Sequence, residues 1–481
     1  MVKNTYIQTY GCSANQNNSE ILAGLLNQEG HKLIDNPEQA DFIILNTCAV
    51  KEKTESKIKR RIQDLYKKYP NKKMIITGCL AQTDSDKIRR LNSNSIILGT
   101  NNYTDINNII NPGLVQINIS EKKEEKILIP KISQNNLISI TQISEGCLSR
   151  CSFCKTKLAK GNLFSYPMNK ILSSIEKDLK LGAKEIWLTS QGNENYGMEQ
   201  GKNRLIELIN EILSLPYDFK LRLGMMNPIN LPNINELIQV YKNIKMYRFL
   251  HIPIQSASNK VLKDMKRGYK IEKVELIINK FREEFPNMTI ATDIITGYPT
   301  EIQGDHEKNL AFIRIFKPDV LNLSKFSKHK NTPAENLKEL PKKIINQRNT
   351  DIMRLHRQTA NENKQKFKNK IINVFVNKKN MDFYESRDEN YNIILIKSDK
   401  ENFEKPKNSK FSKKDFDAIS LGIKIPNPST SKKIEVFGNG GYSKSSKDIL
   451  GKNIKIRITN VGVHHMIGEI IDKCIINCDN F

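Results

Sequence analysis

Ile138-Ser-Ile-Thr-Gln-Ile143, followed by Ser144-Glu-Gly146-Cys147-Leu-Ser-Arg-Cys151-Ser-Phe-Cys154, sends an apolar strand straight into a CxxxCxxC loop. Three closely spaced thiolates on one loop can hold three irons of a [4Fe–4S] cube and leave the fourth iron open to a ligand. Structural zinc is the competing reading, but it wants a fourth Cys or His within similar reach, and none lies between Lys155 and Arg248. Downstream of 138–143, five more strand-like runs follow at 184–189, 219–224, 247–252, 288–295 and 319–324. Amphipathic helical stretches such as Asn169–Leu181 and Arg204–Leu213 alternate with them. Repeated βα units predict a parallel barrel whose site lies at the C-terminal strand ends. Six strands favour a partial (β/α)6 barrel over a closed one of eight.

Upstream, residues 1–118 show a β-α-β-α-β rhythm: runs at Thr5–Thr9, Phe42–Leu45 and Met74–Thr77 alternate with helices at Glu20–Gln28 and Glu55–Tyr69. That rhythm predicts a doubly wound α/β domain. Cys12, Cys48 and Cys79 each fall just past the end of an apolar run. Those points are the carboxyl ends of the strands, where such folds build their sites, so three residues distant in sequence are expected to meet. The charged run Glu121–Lys126 reads as a connector to the barrel, placed at 135–341.

The chain has 481 residues, of which 38% are hydrophobic, enough for several cores and too many for a disordered chain. Its 77 Lys+Arg against 52 Asp+Glu leave +25, a balance suited to a polyanion. Residues 342–414 hold 19 Lys+Arg against 9 Asp+Glu, so the excess gathers toward the C-terminal part. There a basic helical stretch, Lys342–Lys370, leads into β-rich runs at Ile371–Val376, Ile393–Ile396, Ile454–Ile458 and Gly462–Ile471. A polar insertion at about 399–448 separates them. The longest apolar runs are strand-sized and no signal peptide is visible, so a cytoplasmic protein away from membranes is expected. In a reducing compartment clustered cysteines read as metal ligands or redox groups. Cys474 and Cys478 are given no function.

With these motifs in view, the sequence resembles the radical S-adenosylmethionine (SAM) superfamily, whose signature is this CxxxCxxC loop. Tyr10-Gly-Cys12-Ser-Ala-Asn, Leu45-Asn-Thr-Cys48-Ala-Val and Thr77-Gly-Cys79-Leu-Ala-Gln resemble the three cysteine segments of the methylthiotransferase family within it. The resemblance covers nearly the whole chain. It implies two [4Fe–4S] clusters: a radical SAM cluster on Cys147, Cys151 and Cys154, which cleaves SAM to methionine and a 5′-deoxyadenosyl radical, and an auxiliary cluster on Cys12, Cys48 and Cys79, which carries the sulfur to be inserted. SAM then serves as both methyl donor and radical source. It also implies that Gln191, Gln255, Ser256 and Gly297 line the SAM pocket, with Gly297 letting backbone approach the adenine. No side chain is assigned an acid–base role, and His251 and His329 are read as structural. The loop Lys328–Pro333 departs from the Arg-Pro-Gly-Thr-Pro usual in the family, so no role is transferred to it.

Lys155-Thr-Lys157, with Arg222-Leu-Gly-Met and Phe249–Ser258, is most similar to the archaeal and eukaryotic branch that methylthiolates threonylcarbamoyladenosine beside the tRNA anticodon. Other branches act on isopentenyladenosine tRNA or on a ribosomal protein. Ser386-Arg387…Asn390-Tyr391 and Leu450-Gly-Lys resemble the two ends of the family's small β-barrel RNA-binding (TRAM) domain, placed at 364–475. Lys155, Lys157, Arg387 and Tyr391 are the expected RNA contacts, through phosphates and stacking. The expected partners are the tRNA anticodon stem-loop and a flavodoxin- or ferredoxin-like electron donor, with the chain itself a monomer. A zinc-stabilised RNA-binding protein is the non-enzyme alternative.

Overall fold

The computed structural model describes residues 2–110, 117–380, 382–398 and 448–471. Most of the polar insertion and both Cys474 and Cys478 lie outside the described residues. The chain divides into two compact units, one comprising residues up to 316 and 321–353, the other 317–320 and 354 onward.

In the first unit, strands β1 (Asn4–Thr9), β2 (Lys32–Leu33), β3 (Phe42–Thr47), β4 (Lys73–Gly78), β5 (Ile96–Leu98) and β6 (Ile117–Asn118) form one parallel sheet in the order β2-β1-β3-β4-β5-β6. All of β3 is buried, as expected of a strand covered on both faces. Ile43, Leu45, Ile58 and Ile62 pack on one face, and Leu22, Leu26, Phe42 and Ile44 on the other. The order reverses between β1 and β3, which is the switch point where such sheets open a ligand crevice. The first helix, Ser13–Gln28, begins seven residues before the expected Glu20. Its opening turns are made of buried Asn15, Asn17, Asn18 and Ser19, so apolar periodicity had nothing there to register.

The second half of this unit confirms the six-stranded partial barrel: β7 (Ile138–Gln142), β10 (Glu185–Thr189), β11 (Lys220–Leu223), β12 (Phe249–His251), β13 (Thr289–Thr296) and β14 (Val320–Lys325). The short strands β8 (Ser144–Glu145) and β9 (Phe164–Ser165) pair antiparallel at its mouth. Two three-stranded sheets, β11-β10-β7 and β12-β13-β14, are joined by a parallel bridge between Leu221 and Met246. The helix Ser13–Gln28 lies against β7, with Asn17 Nδ2 donating to Ile140 O at 2.8 Å. The cysteine-bearing sheet is therefore docked onto the barrel within one unit. Even the charged connector joins in, since Lys126 is only 2% exposed.

The second unit contains a closed five-stranded barrel in the order β15-β16-β17-β19-β18, from β15 (Ile371–Lys379), β16 (Phe383–Arg387), β17 (Ile393–Lys397), β18 (Asn453–Val461) and β19 (Met466–Ile470). Val374, Val376, Ile394, Ile396, Ile454, Ile456 and Ile458 fill it. Closure removes the exposed edges that an open sheet of this size would present.

Candidate cluster and cofactor site

Cys12, Cys48 and Cys79 follow the adjacent strands β1, β3 and β4 and so meet at the carboxyl edge of the first sheet. Cys48 and Cys79 are buried, while Cys12 is exposed. Gly11 adopts φ +106°, and a Cβ there would lie 3.0 Å from Cys48 Sγ, so only glycine lets the first and second loops close up. Asn15 ties all three loops together: its Nδ2 donates to Tyr10 O at 2.9 Å and Thr47 O at 2.8 Å, and its Oδ1 faces Cys79 Sγ at 3.9 Å. Burial pushes the Cys48 thiol up to about 12, reinforced by Cys79 and Cys12. Burial likewise lifts Cys79 to about 11, against the opposing field of Lys160. Such thiols give up their protons when a metal centre takes the proton's place. Among the described residues, no three His, Cys, Asp or Glu side chains converge as the ligands of a single metal ion would.

The second set sits on the loop between β8 and the helix Lys155–Lys160, with Cys154 as the residue preceding that helix. The loop is held at several points. Gly146 N donates to Gln191 Oε1 at 2.7 Å, Lys157 Nζ donates to Cys147 O, and Ser152 Oγ bonds the hydroxyl of Tyr298 at 2.8 Å. Arg267, buried, donates from Nη1 to Cys151 Sγ at 3.2 Å and from Nη2 to Pro253 O at 3.0 Å. Burial pushes Cys154 up to about 11, with Cys151 and Cys147 adding to it.

Around the barrel mouth the expected pocket residues take different places. Gln191 braces the cluster loop. Gln255 has φ +67° and pairs with β13, its N–H donating to Asp293 O at 2.7 Å. Ser256 is fully buried and accepts from Ser258 N at 3.2 Å, a turn role that leaves its hydroxyl inside the fold. Gly297 adopts φ +75°, and the space a Cβ would fill there is taken by Ile345 of the helix Lys342–Gln365, 2.6 Å away. Glu194 carries no sequence signal, yet it is fully buried, accepts from Asn227 N at 2.8 Å, and is pushed by burial up to about 7. His251 Nε2 lies 3.1 Å from Asp293 Oδ2. Burial pushes the Asp293 carboxyl up, but His251 outweighs this and holds it low, helped by Lys51 from the Cys48 loop.

Lys155 requires a correction. Its ammonium lies 2.5 Å from Asp84 and 3.2 Å from Glu55 and is 4% exposed, so it clamps the helix after Cys154 to the first sheet's helices and has no face left for RNA. Lys157 is half-buried and holds the cluster loop. Arg387 pairs with Glu385 at 2.8 Å, and its guanidinium lies 4.4 Å over the Tyr391 ring. His329, on the atypical loop, is pushed down by burial, then by Lys155. Among the residues that hold the loops, Asn15 was visible within Cys12-Ser-Ala-Asn15. Arg267 sits in a loop whose sequence announces nothing.

This arrangement defines a radical SAM enzyme, and comparison with known proteins agrees. Residues 141–313 match the Radical SAM superfamily and residues 4–99 match the uncharacterized protein family UPF0004. A radical S-adenosylmethionine methyltransferase, TsrM, from Kitasatospora setae shares the fold with TM-score 0.50 and 12% identity over 69% of this chain and 75% of its own. A Pyrococcus horikoshii protein named "Probable threonylcarbamoyladenosine tRNA methylthiotransferase" is 38% identical over 78% of this chain and 89% of its own length. The Homo sapiens threonylcarbamoyladenosine tRNA methylthiotransferase is 30% identical over 94% of this chain and 80% of its own. The chain belongs to the threonylcarbamoyladenosine tRNA methylthiotransferase family.

Proposed function

We propose that this chain converts threonylcarbamoyladenosine beside the tRNA anticodon to its 2-methylthio derivative, using two [4Fe–4S] clusters. The observation that carries the reading is the packing of the helix Cys79–Thr83 against the helix Lys155–Lys160, which brings one cysteine set beside the other within one compact unit. Cys147, Cys151 and Cys154 would hold the radical SAM cluster, and Cys12, Cys48 and Cys79 the auxiliary one. When bound, the clusters and SAM supply an electron, a carbon radical, a methyl group and sulfur; the protein supplies position and exclusion of water.

The side chains divide that work. Arg267, Gln191 and Lys157 fix the loop that presents the three thiolates. Gln191, Gln255, Ser256 and Gly297 shape the mouth of the barrel, Ser256 and Gly297 through packing. Asn15 fixes the auxiliary loops. The basic tail barrel, through Arg387 and Tyr391, takes the RNA backbone and an unstacked base. We read 1–118 as the auxiliary-cluster domain, 135–341 as the radical SAM domain and 364–475 as the TRAM-like domain. The electron comes from a flavodoxin- or ferredoxin-like donor, and the chain acts as a monomer. No described helix is long and apolar enough to cross a membrane. The test is iron analysis after anaerobic reconstitution, with nucleoside mass spectrometry of tRNA treated with the protein. About eight irons per chain and a new methylthio nucleoside are expected; four irons, or methylthio groups on protein, would contradict it.

A further inference from the structure

The seam between the two cysteine sets contains an unbalanced buried charge. Lys126 and Glu145 are 2% and 0% exposed, and Lys160 is 1% exposed. Lys126 Nζ donates to both carboxylate oxygens of Glu145 at 2.9 Å and to Thr100 O at 2.6 Å. Lys160 Nζ donates to Glu145 Oε1 at 3.0 Å. Two ammonium groups therefore share one carboxylate. A third cation, Lys123, reaches the same place by donating to Lys160 O. The other acidic neighbour, Glu124, directs its oxygens to the backbone N–H groups of Tyr103 at 3.0 Å and Thr104 at 2.8 Å. A buried ammonium without a counter-charge costs several kcal/mol, so a second anion is called for.

Position says where that anion belongs. Lys160 ends the helix that packs on the helix opened by Cys79. Its neighbour Ala159 lies in the same apolar core as Cys48, Cys79 and Leu80, and Ala159 O accepts from Thr100 Oγ1 at 3.0 Å. Glu145 stands two residues before Cys147. A cubane held by three thiolates is an anion, because the thiolates outweigh the charge of the oxidised core. We propose that Lys126, Glu145 and Lys160 form a fixed cationic seat for an anionic cluster on Cys12, Cys48 and Cys79, with Lys160 as the positioning residue that raises its reduction potential. This rests on the two-cluster reading. Nearby positive charge stabilises the reduced cluster, which carries one more electron.

The test uses the full chain carrying Cys147→Ala, Cys151→Ala and Cys154→Ala, so that only the auxiliary site binds iron. Lys160→Met leaves a neutral Lys126–Glu145 pair. It is expected to raise the thermal midpoint of the iron-free protein, which loses an uncompensated cation, and to lower the midpoint potential of the reconstituted cluster. A tenfold fall in the reduced-to-oxidised ratio at fixed potential corresponds to a fall of about 59 mV for one electron. Lys160→Arg keeps both values near those of the parent, and Lys126→Met, which also leaves a neutral pair, shifts them in the direction of Lys160→Met. An ordinary salt bridge gives the opposite pattern: Lys160→Met destabilises the iron-free chain and leaves the potential unchanged, and that result overturns the seat. If the parent with Lys160 intact takes up no iron, the two-cluster reading falls and the seat with it; four bound irons with an unmoved potential overturn the seat alone.

Discussion

Arg267 sets a guanidinium nitrogen 3.2 Å from Cys151 Sγ, a contact that would withdraw electron density from this sulfur as a ligand of the proposed cluster. Arg267→Met is expected to lower the potential of the cluster on Cys147, Cys151 and Cys154 while iron content stays near four in a chain lacking the other three ligands; an EPR-monitored redox titration reads it. Lys155 calls for a different outcome. Lys155→Met removes the cation that Asp84 and Glu55 share, and leaves each with one lysine, Lys87 at 2.6 Å from Asp84 and Lys59 at 2.6 Å from Glu55. A loss of about 2 kcal/mol in folding stability is expected, the range of a lost hydrogen bond to a charged group, measured by denaturant unfolding of the iron-free chain. Its tRNA affinity should stay level once folded; a selective loss of tRNA binding would restore the RNA role. The residue scale is where sequence served least well: charge made Lys155 look like a phosphate ligand, whereas burial between two carboxylates decides what it does.

At the scale of elements, the strand-end rule did most of the work. Cys12, Cys48 and Cys79 were expected to meet because each follows an apolar run, and β1, β3 and β4 are neighbours in the sheet. The six barrel strands fall within one or two residues of where apolar runs put them. Less legible were β16, whose Phe-Tyr-Glu-Ser-Arg buries a serine, and the first two turns of the helix Ser13–Gln28, built from buried polar side chains whose partners come from distant loops. The turn from β16 to β17 carries its own prediction. Asp388, fully buried, accepts from Asn390 N at 3.0 Å and Asn392 N at 2.8 Å, yet burial still lifts its carboxyl to about 6. A raised folded value favours the protonated form, so this contribution is full below about pH 4 and is lost as pH rises through about 6. Asp388→Asn should flatten the stability of this barrel between those limits by about 3 kcal/mol, followed by unfolding of the full chain across pH. Tyr391→Ala removes the ring under Arg387 and should weaken tRNA binding by about 1–3 kcal/mol, the range of one base–aromatic stack.

For the whole molecule, the charge balance finds its meaning in division of labour. The connector Glu121–Lys126 looked like a solvated linker because all six of its residues are charged, but Lys126 is drawn into the seam between sheet and barrel. Such burial needs a partner from elsewhere in the chain, which local composition cannot register. The first unit thus holds both cysteine sets in one body, and the second adds a small closed barrel with a basic, aromatic turn. The central claim is that this body inserts a methylthio group into threonylcarbamoyladenosine of tRNA. Nucleoside mass spectrometry of tRNA from a strain lacking the gene, complemented either with the intact chain or with Cys48→Ala, tests it most directly. The methylthio derivative should vanish in the deletion, return with the intact chain and stay absent with Cys48→Ala; an unchanged level in the deletion strain would contradict the account.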